Sequence, residues 1–142
     1  MKSRAYTLIE IMLVTSIILL MAAIAIPNLL RARMNSNETV AMNSLKAAAD
    51  AAVMFRASNI AYPPDLGTLA TVYPPYIDSS LGSGSKSGYD FTFSGSTNTF
   101  TATARPQSFR SSGIRSFFVD ESGVIRFTDQ DFPATSADNI VE

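Results

Sequence analysis

One carboxylate lies inside a long apolar stretch near the N-terminus. The segment from Tyr6 to Ile26 contains 21 residues, and Glu10 is its single charged residue. A helix of that length extends roughly 31 Å, which is enough to cross the hydrocarbon core of a bilayer. Moving a carboxylate into such an environment costs at least ~2.5 kcal/mol on insertion scales. We therefore expect Glu10 to serve a function and to need a partner.

A short basic leader precedes this stretch. Residues 1–5 carry Lys2 and Arg4, and the small residue Ala5 stands in front of the apolar run. A secretory signal peptide instead has its small-residue cleavage site behind the apolar run. Cleavage after Ala5 would leave the apolar helix on the mature protein, with Tyr6 as its first residue.

The sequence AYTLIE from Ala5 to Glu10, followed by AAIAIPN from Ala22 to Asn28, resembles the class III signal of type IV pilins and type II secretion pseudopilins. That family pattern has a short basic leader, Gly or Ala before the cut, an aromatic first mature residue and then Thr-Leu-Ile-Glu. The resemblance covers residues 1 to about 33. It implies processing at Ala5 and Tyr6 by a prepilin peptidase/N-methyltransferase and assembly on an inner-membrane platform.

The resemblance also implies a partner for Glu10. A processed chain has a methylated, positively charged amine on Tyr6, and the amine of a neighbouring subunit is the positive group at comparable depth in a filament core. Pairing of Glu10 with that amine would set the axial register of the subunits. Two alternatives stay open. Neutralisation could occur within one chain, since residues 6 and 10 are one helical turn apart, or Glu10 could be protonated and unpartnered.

Pro27 lies inside the predicted helix and completes the expected assembly residues, which are Tyr6, Glu10 and Pro27. A proline within a helix removes one backbone hydrogen bond and usually kinks the axis. In the family, the helix can lose hydrogen bonds around this proline inside filaments, and a glycine often stands about eight residues earlier. That place is Leu19 here. Local melting between Leu19 and Pro27 and a static kink therefore both stay open.

The remainder of the chain predicts an α+β fold. From Asn37 to about Ala57, apolar side chains recur near helical spacing, which predicts an amphipathic second half of one long helix packed on a small head. A short helix is predicted over Leu66–Val72, and an exposed loop over Ser79–Gly88. The stripe predicted to face the head is Val40, Leu45, Ala48, Ala49, Ala52, Val53 and Phe55.

Alternating residues predict a small antiparallel sheet of three to four strands. Tyr89, Phe91 and Phe93 alternate with polar residues, which indicates a strand with one buried face. The predicted strands cover residues 89–94, 99–104, 116–120 and 124–128. Further residues predicted to pack against the helix are Phe118, Ile125 and Phe127.

These patterns divide the chain into three parts. Residues 1–5 form the leader, residues 6–30 the hydrophobic membrane and polymerisation helix, and residues 31–142 the amphipathic helix half and the C-terminal head.

Composition argues against catalysis. The chain has no cysteine and no histidine, and its formal net charge is −1. These absences remove Cys–His and Ser–His pairs and most zinc sites, and the charge does not favour nucleic acid as the main partner. We expect no enzyme activity and no cofactor. Asp129, Asp131 and Asp138 lack a glycine-rich ligand loop, which favours solvated charges over a calcium site.

We therefore expect a structural subunit of a type IV pilus, in which identical subunits leave membrane lipid and polymerise through the hydrophobic helix. The prepilin is expected in the inner membrane with its head outside the cytoplasm, and the mature form in an extracellular pilus. The alternatives are a pseudopilin of a type II secretion system and a minor pilin with an adhesive or DNA-binding head. The last requires a basic surface, for which the candidates are Arg105, Arg110, Arg115 and Arg126.

Overall fold

A computed structural model describes residues 6–141, so the leader and Ala5 lie outside the described residues. The described chain separates into two compact units, with the boundary between Arg33 and Met34. One helix, α1 (Leu8–Ser58), runs through both units. The long N-terminal helix of the predicted α+β fold is thereby confirmed.

In the first unit, the helix presents its side chains outward all the way round. Every described residue up to Arg33 is exposed except Ala22, which is half-buried. This part of α1 is also long and apolar enough to cross a membrane. The helix continues through Pro27 without a break in its assignment. The kink and the local melting near Pro27 stay predictions.

In the second unit, α1 packs against the head mainly through small side chains. Its buried apolar residues are Ala41, Leu45, Ala48, Ala49, Ala51 and Ala52. The predicted stripe is right in its centre and wrong at Val53, which is exposed. Each helical residue is turned about 100° from the one before it, so Val53 points away from the face on which Ala52 is buried.

Among residues 6–141, six antiparallel strands form one sheet in which the strand order follows the chain. The strands are β1 (Ser85–Lys86), β2 (Tyr89–Gly95), β3 (Phe100–Pro106), β4 (Ser116–Asp120), β5 (Arg126–Thr128) and β6 (Asn139–Ile140). The four predicted strands correspond to β2 to β5, so the predicted count of three to four is too low. The two additional strands have two residues each, which is too short to show the alternation that marks a strand in a sequence.

The predicted core residues of β2 are confirmed. Tyr89, Phe91 and Phe93 are buried in one cluster with the alanines of α1. Ile125 and Phe127 are half-buried against the same cluster, as predicted. The head therefore has one apolar core between the second half of α1 and one face of the sheet.

The prediction that Phe118 packs against the helix is wrong. On β4 the residues in the core are Phe117 and Val119, and successive strand residues point to opposite faces of the sheet. Phe118 is nevertheless buried. The tail after β5 lies near its face of the sheet, where Arg105 Nη2 donates to Asp131 Oδ1 at 2.9 Å.

Two short helices connect α1 to the sheet. The first, α2 (Leu66–Thr71), agrees with its predicted bounds to within one residue. The second, α3 (Ser79–Gly82), occupies part of the segment predicted to be an exposed loop, and its Leu81 is buried. A Cβ atom on Gly82 would overlap Ala70, so the close approach of the two helices requires glycine there.

A buried carboxylate ties α1 to the β3–β4 loop (residues 107–115). Glu38 is 4% exposed, and its Oε1 accepts hydrogen bonds from the backbone N–H groups of Ile114 (2.9 Å) and Arg115 (3.2 Å). Its Oε2 accepts a hydrogen bond from Arg115 Nε at 2.7 Å. The Arg115 carbonyl accepts one from the Tyr89 hydroxyl at 2.8 Å. The loop is therefore fastened both to the helix and to the first long strand.

Replacing Glu38 with alanine should destabilise the head by about 2–3 kcal/mol, because two backbone donors and one guanidinium lose their buried acceptor. Thermal unfolding of the full chain in detergent micelles, followed by near-ultraviolet circular dichroism, measures this. Lys46→Ala, an exposed change on the same helix, should alter the unfolding free energy by less than about 0.5 kcal/mol. Equal melting temperatures for both variants would contradict the role given to Glu38.

Stability should also fall in alkaline solution through Tyr89. Burial raises the pKa of the Tyr89 hydroxyl above its ordinary value of 10.0, the Glu38 carboxylate raises it further, and Arg115 opposes them. The unfolded chain therefore ionises this tyrosine at lower pH than the folded chain does. The resulting stability is fully present below pH about 10 and is lost as the pH rises beyond it. Tyr89→Phe should show a shallower loss of unfolding free energy with pH above that point.

Candidate functional site

The N-terminal segment positions Glu10 through a reciprocal pair of hydrogen bonds. Thr7 immediately precedes α1, and its Oγ1 accepts a hydrogen bond from the Glu10 N–H at 3.3 Å. In return, Glu10 Oε2 accepts from the Thr7 N–H at 3.2 Å and from the Thr7 hydroxyl at 3.2 Å. This is a capping box, in which a threonine and a glutamate three residues later satisfy free donors at a helix start.

Thr7 is a residue of this site that was not among those predicted from the sequence. Its signal was present, since Thr-Leu-Ile-Glu fits the Ser/Thr-x-x-Glu pattern of a capping box. The cap uses Oε2 of Glu10, and Oε1 accepts no hydrogen bond among the described residues. The carboxylate is therefore held at the helix start with one oxygen unused.

The rest of the apolar segment has no unsatisfied hydroxyl to disturb a packing surface. Thr15 and Ser16, its two polar residues after Glu10, each donate to the Met12 carbonyl, at 3.0 Å and 2.7 Å. Such bonds back to the helix are the usual way for hydroxyls to be tolerated in apolar surroundings. One continuous apolar face with a shallow groove results, lined by Leu8, Ile9, Met12, Leu13, Ser16, Ile17 and Leu20.

The predicted assembly residues lie on the exposed helix α1 or, for Tyr6, two residues before it. The side chain of Tyr6 is 79% exposed, and its position directly follows Ala5, which lies outside the described residues. Glu10 contacts Thr7, and Pro27 lies farther along the same helix. In the described chain, these three residues do not line one cleft.

Two of the four arginines considered for a DNA-binding surface are held by the C-terminal tail, one of them in an ion pair. Arg105 forms an ion pair with Asp131 at 2.9 Å. Arg126 donates to the Asp138 carbonyl at 3.2 Å. Two of the three aspartates considered for calcium already accept hydrogen bonds through their carboxylates. Asp131 Oδ1 accepts from Arg105, and Asp138 Oδ2 accepts from the N–H and the hydroxyl of Thr135.

The two remaining arginines differ sharply from each other. Arg115 is held by Glu38 at 2.7 Å, and its guanidinium lies over the rings of Phe117 and Phe127. Arg110 is exposed at the tip of the β3–β4 loop, and its side chain forms no ion pair among the described residues. One free arginine does not make the clustered surface that nucleic-acid binding requires.

Comparison with known proteins decides the family. No family model matches the chain. The chain is 34% identical over 108 residues to the type IV wide pilus major component PilA4 of Thermus thermophilus, and the match covers 72% of this chain and 82% of that protein. The chain belongs to the type IV pilin family. As a pilin it is a structural subunit of a pilus.

Replacing Thr7 with alanine should loosen the first turn of α1 in this pilin. Loss of the cap costs about 1 kcal/mol, which corresponds to amide hydrogen exchange about fivefold faster at residues 8–11 of the full chain in micelles. Thr15→Ala serves as the control, because its hydroxyl bonds only to the Met12 carbonyl inside the helix. Unchanged exchange in the Thr7 variant would show that the cap contributes nothing to the helix start.

Proposed function

We propose that this pilin is cleaved after Ala5 and polymerises through α1, with Glu10 of one subunit paired to the methylated Tyr6 amine of the next. The observation that carries the proposal is the exposed apolar helix with a single carboxylate at its start. Such a surface is stable in membrane lipid, and in a filament the same side chains pack against the helices of neighbouring subunits.

The geometry of Glu10 supports the intersubunit pair. Removing a carboxylate from water without a cation is costly, so a filament core favours any cation that reaches it. The capping box holds the carboxylate in place through Oε2 and leaves Oε1 to accept from outside the chain. In a processed chain, Thr7 stays next to the Tyr6 amine. The capping residue and the cationic amine then lie on consecutive residues of one chain. Pairing of that amine with the carboxylate of another subunit would therefore fix the axial register between the two subunits.

We further propose the partners and location that this assembly requires. A prepilin peptidase/N-methyltransferase removes residues 1–5 and methylates Tyr6, and an inner-membrane platform adds subunits to the filament base. Before assembly the prepilin lies in the inner membrane with residues 34–142 outside the cytoplasm. After assembly the chain is part of an extracellular pilus. The similarity to a major pilus component supports a filament subunit over a pseudopilin or an adhesive or DNA-binding minor pilin.

Two substitutions at Glu10 separate the charge from the cap. Glu10→Gln keeps a capping side chain but removes the negative charge, whereas Glu10→Ala removes both. We expect both variants to reach the membrane with Tyr6 as the mature N-terminus, as checked by mass spectrometry. Both should lower the yield of sheared filaments per cell by at least about tenfold, since a buried cation is left unpaired.

Thr7→Ala is the matched control, because it weakens the cap and keeps the carboxylate. It should assemble better than Glu10→Gln. Wild-type filament yield from the Gln variant would reject the charge pair. A wild-type chain that is processed yet never enters a filament when its assembly machinery is present would reject the proposed function itself.

A further inference from the structure

The tip of the β3–β4 loop holds an arginine in a backbone conformation that disfavours it. Arg110 has φ of 63°, in the left-handed region where side chains other than those of Gly, Asn and Asp are uncommon. Its N–H donates to the Gly113 carbonyl at 2.8 Å, which fixes this conformation. A strained residue at a surface position indicates that its side chain serves something other than the stability of the loop.

The loop is rigid enough to present that side chain in one place. Asn37 Nδ2 of α1 donates to the Ser112 carbonyl at 2.8 Å, and Glu38 accepts from the two N–H groups that follow Gly113. Within the loop, the Ser112 hydroxyl both accepts from the Ser108 N–H and donates to the Ser108 carbonyl, at 3.0 Å and 3.1 Å. The guanidinium of Arg110 lies 5.5 Å from the centre of the Phe109 ring.

An unpaired carboxylate lies at the opposite end of the sheet. β4 begins at Ser116, directly after the β3–β4 loop, and ends at Asp120. The turn after it closes through a hydrogen bond from the Gly123 N–H to the Asp120 carbonyl at 3.0 Å. Asp120 also accepts from the Ser122 N–H at 3.0 Å, while the exposed Glu121 at the turn's corner forms no ion pair among residues 6–141. At about 3.3 Å per residue, six residues from 115 to 121 separate the two ends by roughly 20 Å.

We propose that Arg110 of one pilin subunit binds Glu121 of a second copy in a head-to-tail contact. The two groups are too far apart to meet within one chain, and a contact between opposite ends of the same unit propagates rather than closing a dimer. Residues 34–141 carry ten acidic and seven basic side chains, so the net negative charge of one head attracts the positively charged loop tip of another. Asp129 is another exposed acid, but it lies at the same end of the sheet as Arg110. It directly follows Thr128, which pairs with Ser116, the first residue after the β3–β4 loop. A contact with Asp129 would join like ends.

This inference rests on the proposed filament, and charge reversal in the full-length chain tests it. Arg110→Glu and Glu121→Arg should each lower the yield of sheared filaments by about fivefold at unchanged subunit level, because like charges then meet. The double variant should recover most of the wild-type yield. As the matched control, Asp129→Arg combined with Arg110→Glu should not recover it. Failure of the Glu121 double variant to recover, or recovery through Asp129, would overturn the inference.

Arg110→Gly distinguishes an interface role from a structural one. Glycine relieves the left-handed strain, so the unassembled subunit should melt at the same or a higher temperature. Its filament yield should nevertheless fall about two- to fivefold. A yield equal to that of the wild type would overturn the inference. If the wild-type chain forms no filaments at all, the proposed function is wrong, and so is the contact between Arg110 and Glu121 that depends on it.

Because the chain contains no cysteine, a covalent test is clean. Arg110→Cys combined with Glu121→Cys should give covalently linked ladders when intact filaments are treated with a bis-maleimide cross-linker, because the Cα atoms across an Arg–Glu contact lie farther apart than the roughly 4.4–6.8 Å that a disulfide spans. Arg110→Cys combined with Asp129→Cys should give monomers. Ladders in the control and none in the test pair would assign the Arg110 contact to a different surface and overturn the proposed pair.

Discussion

The uncovered apolar surface of α1 is the constraint on which the rest of this pilin depends. Residues 8–33 form a helix whose side chains are exposed almost without exception, and most of them are apolar. Such a surface is stable in lipid or against other helices, because contact between apolar side chains and water is unfavourable. In the proposed function, membrane residence and polymerisation both remove this surface from water, so one helix would serve both states.

Two carboxylates on α1 lie in different environments and differ in how many hydrogen-bond partners they have. Glu38 is buried by the head, and three donors from Ile114 and Arg115 satisfy it within the chain. Glu10 is exposed, and only one of its oxygens is used, by Thr7. The first carboxylate is a structural tie whose partners are complete. The second is positioned but incomplete, which is the state expected of a group that finds its partner in another subunit.

Contacts within the chain hold most of the arginines of the head. Three of the four arginines near the sheet are held by groups of the same chain, and these contacts fasten the β3–β4 loop and the C-terminal tail. The exposed Arg105–Asp131 pair contributes little energy, whereas the Arg115 pair is stronger because the Glu38 carboxylate is buried. Among residues 6–141, Arg110 and Glu121 form no ion pair and lie at opposite ends of β4, and an asymmetric unit of this kind can add copies in one direction.

Local features of the sequence determined much of this protein. The apolar run set the long helix, alternation at Tyr89, Phe91 and Phe93 set strand β2, and the α+β class followed from both. The capping box at Thr7 and Glu10 was equally readable, since it needs only residues three apart. These features depend on neighbours along the chain, which a sequence displays directly.

Only the tertiary structure decided which residues meet across the chain. Glu38 and Arg115 are 77 positions apart, and no local pattern connects them. The choice of Phe117 rather than Phe118 for the core depended on the phase of β4, because both residues are apolar and alternation cannot rank them. The two-residue strands β1 and β6 exist because longer neighbours offer them partners. Backbone hydrogen bonds of that kind depend on the folded sheet and do not require an alternation of apolar and polar residues in the sequence.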